Sequence, residues 1–374
     1  MTSMPSWFKR YVLPGLVFQS IIIAGGYGTG RELIEFFLEY GVVGGLLGMI
    51  PATILVSITC MVGFEFARAY ASYDYRSYFR HLLGRGWFTY EIGYLTAVML
   101  VLAVIGSAAG TFLEETFELP GSVGAVALLV AIGVLVFKGT ATIERFFAGW
   151  SFLLYGAYLV LFVWSMARFG DQISAGIADG EALTGWFSSG VRYAALLVAL
   201  VPAMLFATRH IGHRREALWA GALAGPISMI PALLFFLALA GQYPGVLDRP
   251  VPANHMLEVL GSRPFQIIFQ LILFGTLIET GAGLIHAFNE RIDGVYRARG
   301  SSMPSRWRPL IALFLLATGY AMSRIGLVDL IGMGYNAMSF VFMGVVVVPL
   351  LTVGVYKLRG RATAERDRPT AAEA

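Results

Sequence analysis

Long apolar stretches recur along the whole chain, and they constrain its fold more than any other feature. Roughly 20 consecutive apolar residues allow a helix to cross about 30 Å of hydrocarbon, and such stretches follow one another from near residue 11 to residue 356. Hydrophobic residues occupy 57% of the 374 positions and charged residues 13%, whereas about a quarter of a soluble domain is charged. The sequence therefore predicts an all-α polytopic membrane protein.

Apolar length, with Gly, Pro and charged residues as boundaries, predicts ten transmembrane helices. They are expected near residues 11–39, 42–70, 88–112, 121–138, 146–168, 187–208, 215–241, 264–290, 307–324 and 327–356. Five helices per half would insert the second half upside down relative to the first, as a 5+5 inverted repeat. We expect a first repeat over 1–170, a second repeat over 171–358 and a disordered cytoplasmic tail over 359–374.

Lysine and arginine are unevenly divided between the two sets of predicted loops. The basic set includes both ends of the chain and contains Lys9, Arg10, Arg68, Arg76, Arg80, Arg85, Lys138, Arg145, Arg209, Arg214, Arg215, Arg291, Arg306, Arg308, Lys357, Arg359 and Arg361. Because cytoplasmic loops carry the excess of Lys and Arg, we expect both termini on the cytoplasmic side of an inner membrane. This orientation also explains the net charge of +4 without a nucleic-acid partner.

The first predicted helix contains a dense group of glycines in its apolar middle. The stretch 24–30 reads Ala-Gly-Gly-Tyr-Gly-Thr-Gly and is followed by Arg31, Glu32 and Glu35. Each interior Gly costs a helix about 1 kcal/mol relative to Ala, and charges at this depth normally face a cavity or a partner. Close helix packing through small residues is the alternative. The buried charges favour a discontinuous helix around a binding site.

The sixth helix carries a weaker signal for a second break. Pro202 interrupts its apolar run, and proline removes a backbone donor and clashes with the preceding turn. A simple kink would explain Pro202 as well. Its position corresponds to the glycine-rich stretch in the other half, so we expect helices 1 and 6 to be discontinuous and to hold the substrate at mid-membrane.

Short motifs resemble a known group of carriers. Gly28-Thr29-Gly30 resembles the Gly-Ser/Thr-Gly element in the first helix of amino acid-polyamine-organocation (APC) superfamily permeases, and the ten-helix plan is similar to their LeuT fold. The early glycine-rich stretch with Arg31-Glu32, and the entry to the seventh helix at 214–218, resemble the YkvI-like group, which is regarded as a group of amino-acid permeases. The resemblance implies a broken first helix that holds a substrate carboxylate. An aromatic-Gly-Phe/Tyr-Glu stretch that many such permeases carry in helix 6 is absent, so the substrate class stays open.

The candidate substrate site follows from the expected break. Backbone amides from Thr29 to Glu32 would begin the second half-helix and suit an anionic group, whereas carbonyls from Ile23 to Gly26 would suit a cation. A zwitterion would satisfy both. Glu32 could cap the half-helix or instead bind a substrate ammonium or a proton. The candidate substrate-binding residues are Gly25, Gly26, Gly28, Thr29, Gly30, Glu32, Pro202, Tyr335 and Asn336.

The eighth helix carries a polar strip. Thr276, Glu279, Thr280 and His286 recur at helical spacing and would lie along one face. The resemblance to LeuT-fold carriers implies a sodium site that uses Thr276 and Thr280. Glu279 and His286 instead suggest proton coupling, since a buried carboxyl group and a histidine both titrate near neutrality. Hydrogen bonding between helices is the third interpretation.

Several classes of function are not expected. The single cysteine, Cys60, allows no disulfide within one chain, and we find no catalytic nucleophile with a base and no phosphate loop. His210 and His213 lie among arginines, so we expect no metal site. We predict a carrier that is not an enzyme and has no cofactor beyond a coupling Na⁺ or H⁺. The alternative is a membrane ligand sensor that does not transport.

Overall fold

The computed structural model describes residues 6–23, 25–138, 140–297, 300–304 and 306–366. The described part of the chain forms helices and contains no strand. We label ten helices α1 to α10, of which two have separate halves. Their bounds are α1a Leu13–Ile22, α1b Arg31–Phe36, α2 Gly41–Ala69, α3 Phe88–Phe117, α4 Gly121–Lys138, α5 Thr140–Ala178, α6a Trp186–Val198, α6b Val201–Met204, α7 Arg214–Ala240, α8 Arg263–Arg297, α9 Trp307–Ser323 and α10 Leu327–Arg361.

Each predicted transmembrane segment corresponds to one of these helices, so the all-α polytopic fold is confirmed. Among the described residues, seven helical stretches are long and apolar enough to cross a membrane, and the two apolar helices Leu13–Ile22 and Gly121–Val136 are shorter. The predicted ends differ most at α5, which extends to Ala178, and at α8, which extends to Arg297. A helix does not have to stop where the hydrocarbon stops, so apolar length alone does not set these ends.

Small residues bring α7 into direct contact with α2. A Cβ atom added at Gly225 would lie 2.6 Å from the Thr53 carbonyl oxygen, and one added at Gly221 would overlap the backbone at Met61. The Ser57 hydroxyl donates a hydrogen bond to the Ala222 carbonyl, 3.1 Å away. Lipid does not drive apolar helices together, so this close approach of the two backbones supplies the packing contacts that hold the pair.

The contacts between helices are reciprocal across the two halves. The half-helix α1a packs on α7 while α6a packs on α2, and α9 packs on α3 while α8 packs on α4. An inverted repeat requires such exchange of equivalent helices. The predicted division between residues 170 and 171 falls inside α5, next to Phe169, which has non-helical dihedral angles (φ −122°, ψ 17°).

The first helix is discontinuous, as the sequence predicts. α1a ends at Ile22, and the next residue, Ile23, has a ψ of 78°, which is not helical. A separate turn of helix spans Gly25–Thr29. Gly30 then adopts a left-handed conformation (φ 84°) before α1b begins. A residue with a Cβ atom is disfavoured in that region. Ala24 lies outside the described residues.

The sixth helix is also discontinuous, with a smaller interruption. α6a ends at Val198, and the amides of Leu200 and Ala203 donate to carbonyls three residues back, at 3.0 and 2.9 Å. Pro202 occupies the first turn of α6b, where its missing amide leaves no intrahelical bond unmade. The predicted break is confirmed, and it lies just before Pro202 rather than at it.

The end of the chain differs from the prediction. A helix spans Val355–Arg366, so the segment 359–366 is not a disordered tail. Its composition, with Arg, Ala and Glu, is compatible with helix because these residues have high helical propensity. Residues 367–374 of the predicted tail lie outside the described residues.

Candidate functional site

A small cavity lies where the break in α1 faces α3, α6 and α10. Its volume is about 80 Å³. It is lined by Ile22, Glu32, Tyr94, Ala97, Val98, Leu100, Val101, Leu196, Leu197, Ala199, Leu200, Leu284, Tyr335, Met338 and Phe342. Glu32 is the single charged residue of this lining, and Tyr94 and Tyr335 supply hydroxyl groups. The cavity therefore combines one carboxylate with an apolar wall, as small-molecule sites commonly do.

Glu32 lies at the break and is 5% exposed. The left-handed turn at Gly30 precedes α1b and places Glu32 in the first turn of this half-helix. Among the described residues, Glu32 forms no ion pair. Its neighbour Arg31 points elsewhere: the Arg31 guanidinium donates to the Leu247 carbonyl at 2.6 Å. A charged group at this depth normally has a partner, so the site has a place for a cation.

Buried tyrosines lie around the break in α1. Tyr335 lines the cavity together with Glu32, Tyr27 packs against Tyr158, and Tyr193 packs against Phe36 of α1b. The Tyr158 hydroxyl donates to the Gly28 carbonyl at 3.0 Å, which fixes the glycine-rich turn against α5. The hydroxyl groups of Tyr27 and Tyr193 are buried and have no hydrogen-bond partner among the described residues.

Two backbone amides at the break have acceptors within the chain. The Gly30 amide donates to the Tyr27 carbonyl at 2.9 Å, and the Arg31 amide donates to the Thr29 hydroxyl at 3.3 Å. Thr29 is 1% exposed, and its hydroxyl accepts this backbone hydrogen bond and does not line the cavity. Two amides of the predicted anion site from Thr29 to Glu32 thus have acceptors within the chain, and the site itself stays a prediction.

The remaining glycines of the motif shape the turn. Gly25 and Gly26 begin the short helix that ends at Thr29. A Cβ atom on Gly28 would lie 2.8 Å from Leu273 of α8. Gly28 thus lets α1 approach α8 closely, and neither Gly28 nor Gly30 lines the cavity.

A second cavity of about 260 Å³ adjoins the first on the side of α1a. It is lined by Ser20, Ile21, Ile23, Tyr94, Leu200, Ala203, Glu279, Thr280, Gly283, Leu284 and Ala287. Tyr94, Leu200 and Leu284 line both cavities, so the two cavities are neighbours. The structure thereby brings Glu279 and Thr280 of α8 together with the end of α1a, as the coupling site requires.

Other predicted coupling residues lie outside this cavity. The Thr276 hydroxyl, which is buried, donates to the Ile272 carbonyl one turn back at 3.0 Å, and the Thr280 hydroxyl donates to the Thr276 carbonyl at the same distance. His286 lines neither cavity. Pro202 also lines neither, although Leu200 and Ala203 on either side of it do. Of the four predicted residues on α8, only Glu279 and Thr280 line the cavity.

On the opposite side of the first cavity, a polar network joins α1b, α6a and α10. The Asn336 amide donates to Glu35 at 2.9 Å and accepts from Arg192 at 2.6 Å. Arg192 also donates to the Tyr40 hydroxyl at 3.1 Å. Asn336 therefore connects helices rather than lining the cavity, while its neighbour Tyr335 lines it.

Arg31 connects α1b to the loop before the helix Pro252–Leu260. Besides the Leu247 carbonyl, its guanidinium contacts Glu39 at 3.4 Å and Glu35 at 3.7 Å. The side chain is almost fully buried. The sequence indicated charged residues here but did not indicate Arg192, since an arginine early in an apolar helix is also typical of a membrane boundary.

Comparisons with known proteins agree with this arrangement. No protein-family model matches the chain. The uncharacterized membrane protein YkvI of Bacillus subtilis (strain 168) is 23% identical over 344 residues, which cover 87% of this chain and 92% of YkvI. At this identity the likeness leaves the family open.

Solved structures share the architecture. MhsT in complex with L-phenylalanine superposes with a TM-score of 0.62 at 16% identity, over 92% of this chain and 87% of MhsT. A Na⁺-coupled sialic acid symporter in a substrate-bound outward-open state gives 0.61 at 13% identity, over 92% and 79%. This chain has the LeuT fold. An Eremococcus coleocola manganese transporter is less similar, with a TM-score of 0.50 at 15% identity over 92% and 78%.

Proposed function

We propose that this LeuT-fold chain is an ion-coupled secondary transporter that moves an amino acid or a related small zwitterionic solute by alternating access. The observation that carries the proposal is the position of Glu32. Its buried carboxylate lies at the break in α1 and faces a cavity that α6 also lines. In this fold, discontinuous helices hold the solute near the middle of the membrane.

The two sides of the cavity differ in a way that suits alternating access. The network of Arg192, Asn336 and Glu35 closes the side of α1b. On the side of α1a, the side chains of Tyr94, Leu200 and Leu284 line both the solute cavity and the larger second cavity. A transport cycle would break the network to admit solute and would move these three side chains to release it.

The second cavity is the proposed coupling site. Glu279 and Thr280 face the end of α1a there, and a carboxyl group can carry a proton while a hydroxyl and a carbonyl can ligate Na⁺. The symporter with the similar fold is described as Na⁺-coupled. We propose that either Na⁺ or H⁺ binds in this cavity and lowers the free energy of the solute-loaded state.

We propose that the chain lies in an inner membrane with both termini in the cytoplasm. The excess of Lys and Arg in the loops on the terminal side supports this orientation. The amino-acid class is supported by the resemblance of Gly28-Thr29-Gly30 to the permease motif and by L-phenylalanine in the MhsT structure. The APC assignment rests on the motif alone.

Uptake by purified protein in proteoliposomes tests this function. Labelled amino acids would be offered under an imposed pH gradient, an imposed Na⁺ gradient, or neither. We expect accumulation against the solute gradient under one of the two ion gradients only. Saturable binding without accumulation under any condition would favour the sensor and contradict transport.

A further inference from the structure

A third cavity, of about 300 Å³, lies where α3 ends, α4 begins and α9 ends. It shares no lining residue with the first or the second cavity. We propose that it binds a phosphoethanolamine group, which carries a primary ammonium and a phosphodiester, as the headgroup of a membrane phospholipid. The polar side chains of its lining include Ser107, Thr111, Glu114, Ser122, Tyr320 and Arg324.

Close helix contacts fix the walls of this third cavity. A Cβ atom added at Gly110 of α3 would lie 2.7 Å from the Gly121 carbonyl oxygen of α4. One added at Gly106 would lie 3.2 Å from the Cβ atom of Ser323 in α9. All four residues belong to the lining. Because α3 already touches both neighbours there, the helices cannot close the remaining space by moving together, and the cavity is preformed, as ligand sites usually are.

The hydroxyl groups of the lining are available to a ligand. Thr96 and Thr318, elsewhere in α3 and α9, each donate to the carbonyl four residues earlier, at 3.0 and 2.8 Å. The hydroxyl groups of Ser107, Thr111 and Ser122 have no such partner within the described part of the chain. Ser107 is 8% exposed. A buried hydroxyl without a hydrogen bond is costly, so a ligand or water in the cavity has to supply the missing partner.

Two opposite charges complete the lining. Glu114 and Arg324 form no ion pair among the residues that the structure describes. A Cβ atom on Gly121 would lie 3.1 Å from Glu114 Oε2, so this carboxylate lies against the start of α4. An ammonium can donate its three N–H groups to a carboxylate and to hydroxyl oxygens, and a guanidinium pairs well with phosphate oxygens. A ligand of one sign would leave one of these two side chains unmatched.

The surroundings of the cavity favour a lipid as the source of this group. Only three residues connect α3 to α4, so the cavity lies at a membrane surface, where headgroups are found. Val123 and Val126 follow lining residues of α4, and Ile325 follows Arg324; all three are exposed. In a membrane these side chains contact acyl chains, so one lipid can lie on them and place its headgroup between the helices.

The volume of the cavity agrees with this ligand. A cavity of about 150 Å³ holds benzene, and the third cavity is roughly twice as large. Phosphoethanolamine has about eight non-hydrogen atoms, which leaves space for water beside it. The headgroup alone therefore occupies the cavity, and the glycerol and acyl chains remain outside.

Lipids that differ in one group test the site on the full-length protein. Native mass spectrometry would compare phosphatidylethanolamine with phosphatidylcholine, which has no N–H donors, and with phosphatidylglycerol, which has no ammonium, all with the same acyl chains. We expect phosphatidylethanolamine to bind about fivefold more tightly than either, as one partly exposed charge pair allows. Equal binding of the three lipids would overturn the proposal.

Variants locate the binding. Glu114→Gln should remove the preference for phosphatidylethanolamine over phosphatidylcholine, and Arg324→Gln should weaken the binding of both. Glu118→Gln and Arg168→Gln are matched controls, because both side chains are exposed and neither lines the cavity. Ser107→Ala removes one buried hydroxyl and should also weaken phosphatidylethanolamine binding. An unchanged preference in Glu114→Gln, or unchanged binding in both Arg324→Gln and Ser107→Ala, would refute the site.

Soluble ligands separate the two sources of this chemistry. Glycerophosphoethanolamine is the same headgroup without acyl chains, and we expect it to bind at least about tenfold more weakly than the lipid, because buried CH₂ groups add affinity. Equal affinity would identify a free phosphoethanolamine compound as the ligand and overturn the assignment to a lipid. Displacement of the bound lipid by leucine would assign the cavity to an amino acid instead.

Discussion

Gly30 is the residue at which the backbone of α1 turns, so its substitution tests the break directly. Its φ of 84° is strained for any residue with a Cβ atom, and that atom would lie 3.1 Å from the Phe235 ring and 3.3 Å from Pro252. Gly261 is a matched control because its φ of 75° imposes the same strain with nothing within 4 Å. The left-handed conformation alone costs about 1–2 kcal/mol.

We therefore expect Gly30→Ala to lower the midpoint of thermal unfolding more than Gly261→Ala does. The added effect of Gly30→Ala comes from crowding against α7 and the helix Pro252–Leu260. Thermal unfolding of both variants in the same detergent measures this difference. Equal shifts for the two variants would mean that α1 can relax at the break, which would contradict a fixed turn.

Glu279 and Thr280 both line the second cavity. Glu279 would bind H⁺ if the proton is the coupling ion, and Thr280 would bind Na⁺ if sodium is. If H⁺ is coupled, Glu279→Gln should abolish uptake driven by a pH gradient while solute binding persists, because the amide cannot carry the proton. If Na⁺ is coupled, Thr280→Val should abolish uptake driven by Na⁺, because the valine removes one oxygen ligand. Uptake by both variants under each gradient distinguishes the two cases, and full coupling in both would contradict the proposed site.

The sequence indicates some residues of the site and cannot indicate others. Glu32 and the glycines stand out because charge and glycine are rare inside an apolar helix. Tyr158 and Tyr193 lie in α5 and α6a, where tyrosine is unremarkable. Only the packing of those helices on α1 brings these side chains to the break, and no local pattern encodes that packing.

At the scale of elements, the two breaks show how local signals translate into structure. In α1, a left-handed glycine and a non-helical Ile23 separate the halves. In α6, the backbone changes only to hydrogen bonds between residues three apart on either side of Pro202. The glycine-rich stretch predicted the larger interruption, and the proline predicted the smaller one. The exact position in α6 could not be predicted because proline is compatible with the first turn of a helix.

The network between α1b, α6a and α10 should act as a closure between these elements. Arg192→Ala removes the contacts to Asn336 and Tyr40, at 2.6 and 3.1 Å, and should increase the population that is open on the side of α1b. In a variant with Cys60 replaced by alanine and Leu196, in the cavity wall, replaced by cysteine, a thiol reagent applied on that side should react faster. Arg85→Ala, at an exposed position, serves as the control.

The direction of this change is what tests the closure. A slower or unchanged reaction in Arg192→Ala, relative to Arg85→Ala, would mean that the network stabilises packing without controlling access. Faster reaction in both variants would indicate general loosening of the fold rather than opening of one path.

At the scale of the whole molecule, the count and class of helices could be predicted because each membrane crossing needs its own apolar length. The division between residues 170 and 171 stays a prediction, and α5 continues past it to Ala178. The packing of α7 on α2 through Gly221 and Gly225 was also not predicted, because a glycine at a helix contact has the same local signature as one at a break.

The central claim is that the cavity at the break of α1 is the site through which the molecule moves solute. Counterflow measures this most directly: proteoliposomes loaded with unlabelled solute are diluted into labelled solute without any ion gradient. We predict a transient accumulation of label with the native chain and none with Glu32→Gln at equal protein content. Binding of solute by the native chain without any transient accumulation, or full accumulation with Glu32→Gln, would contradict the claim.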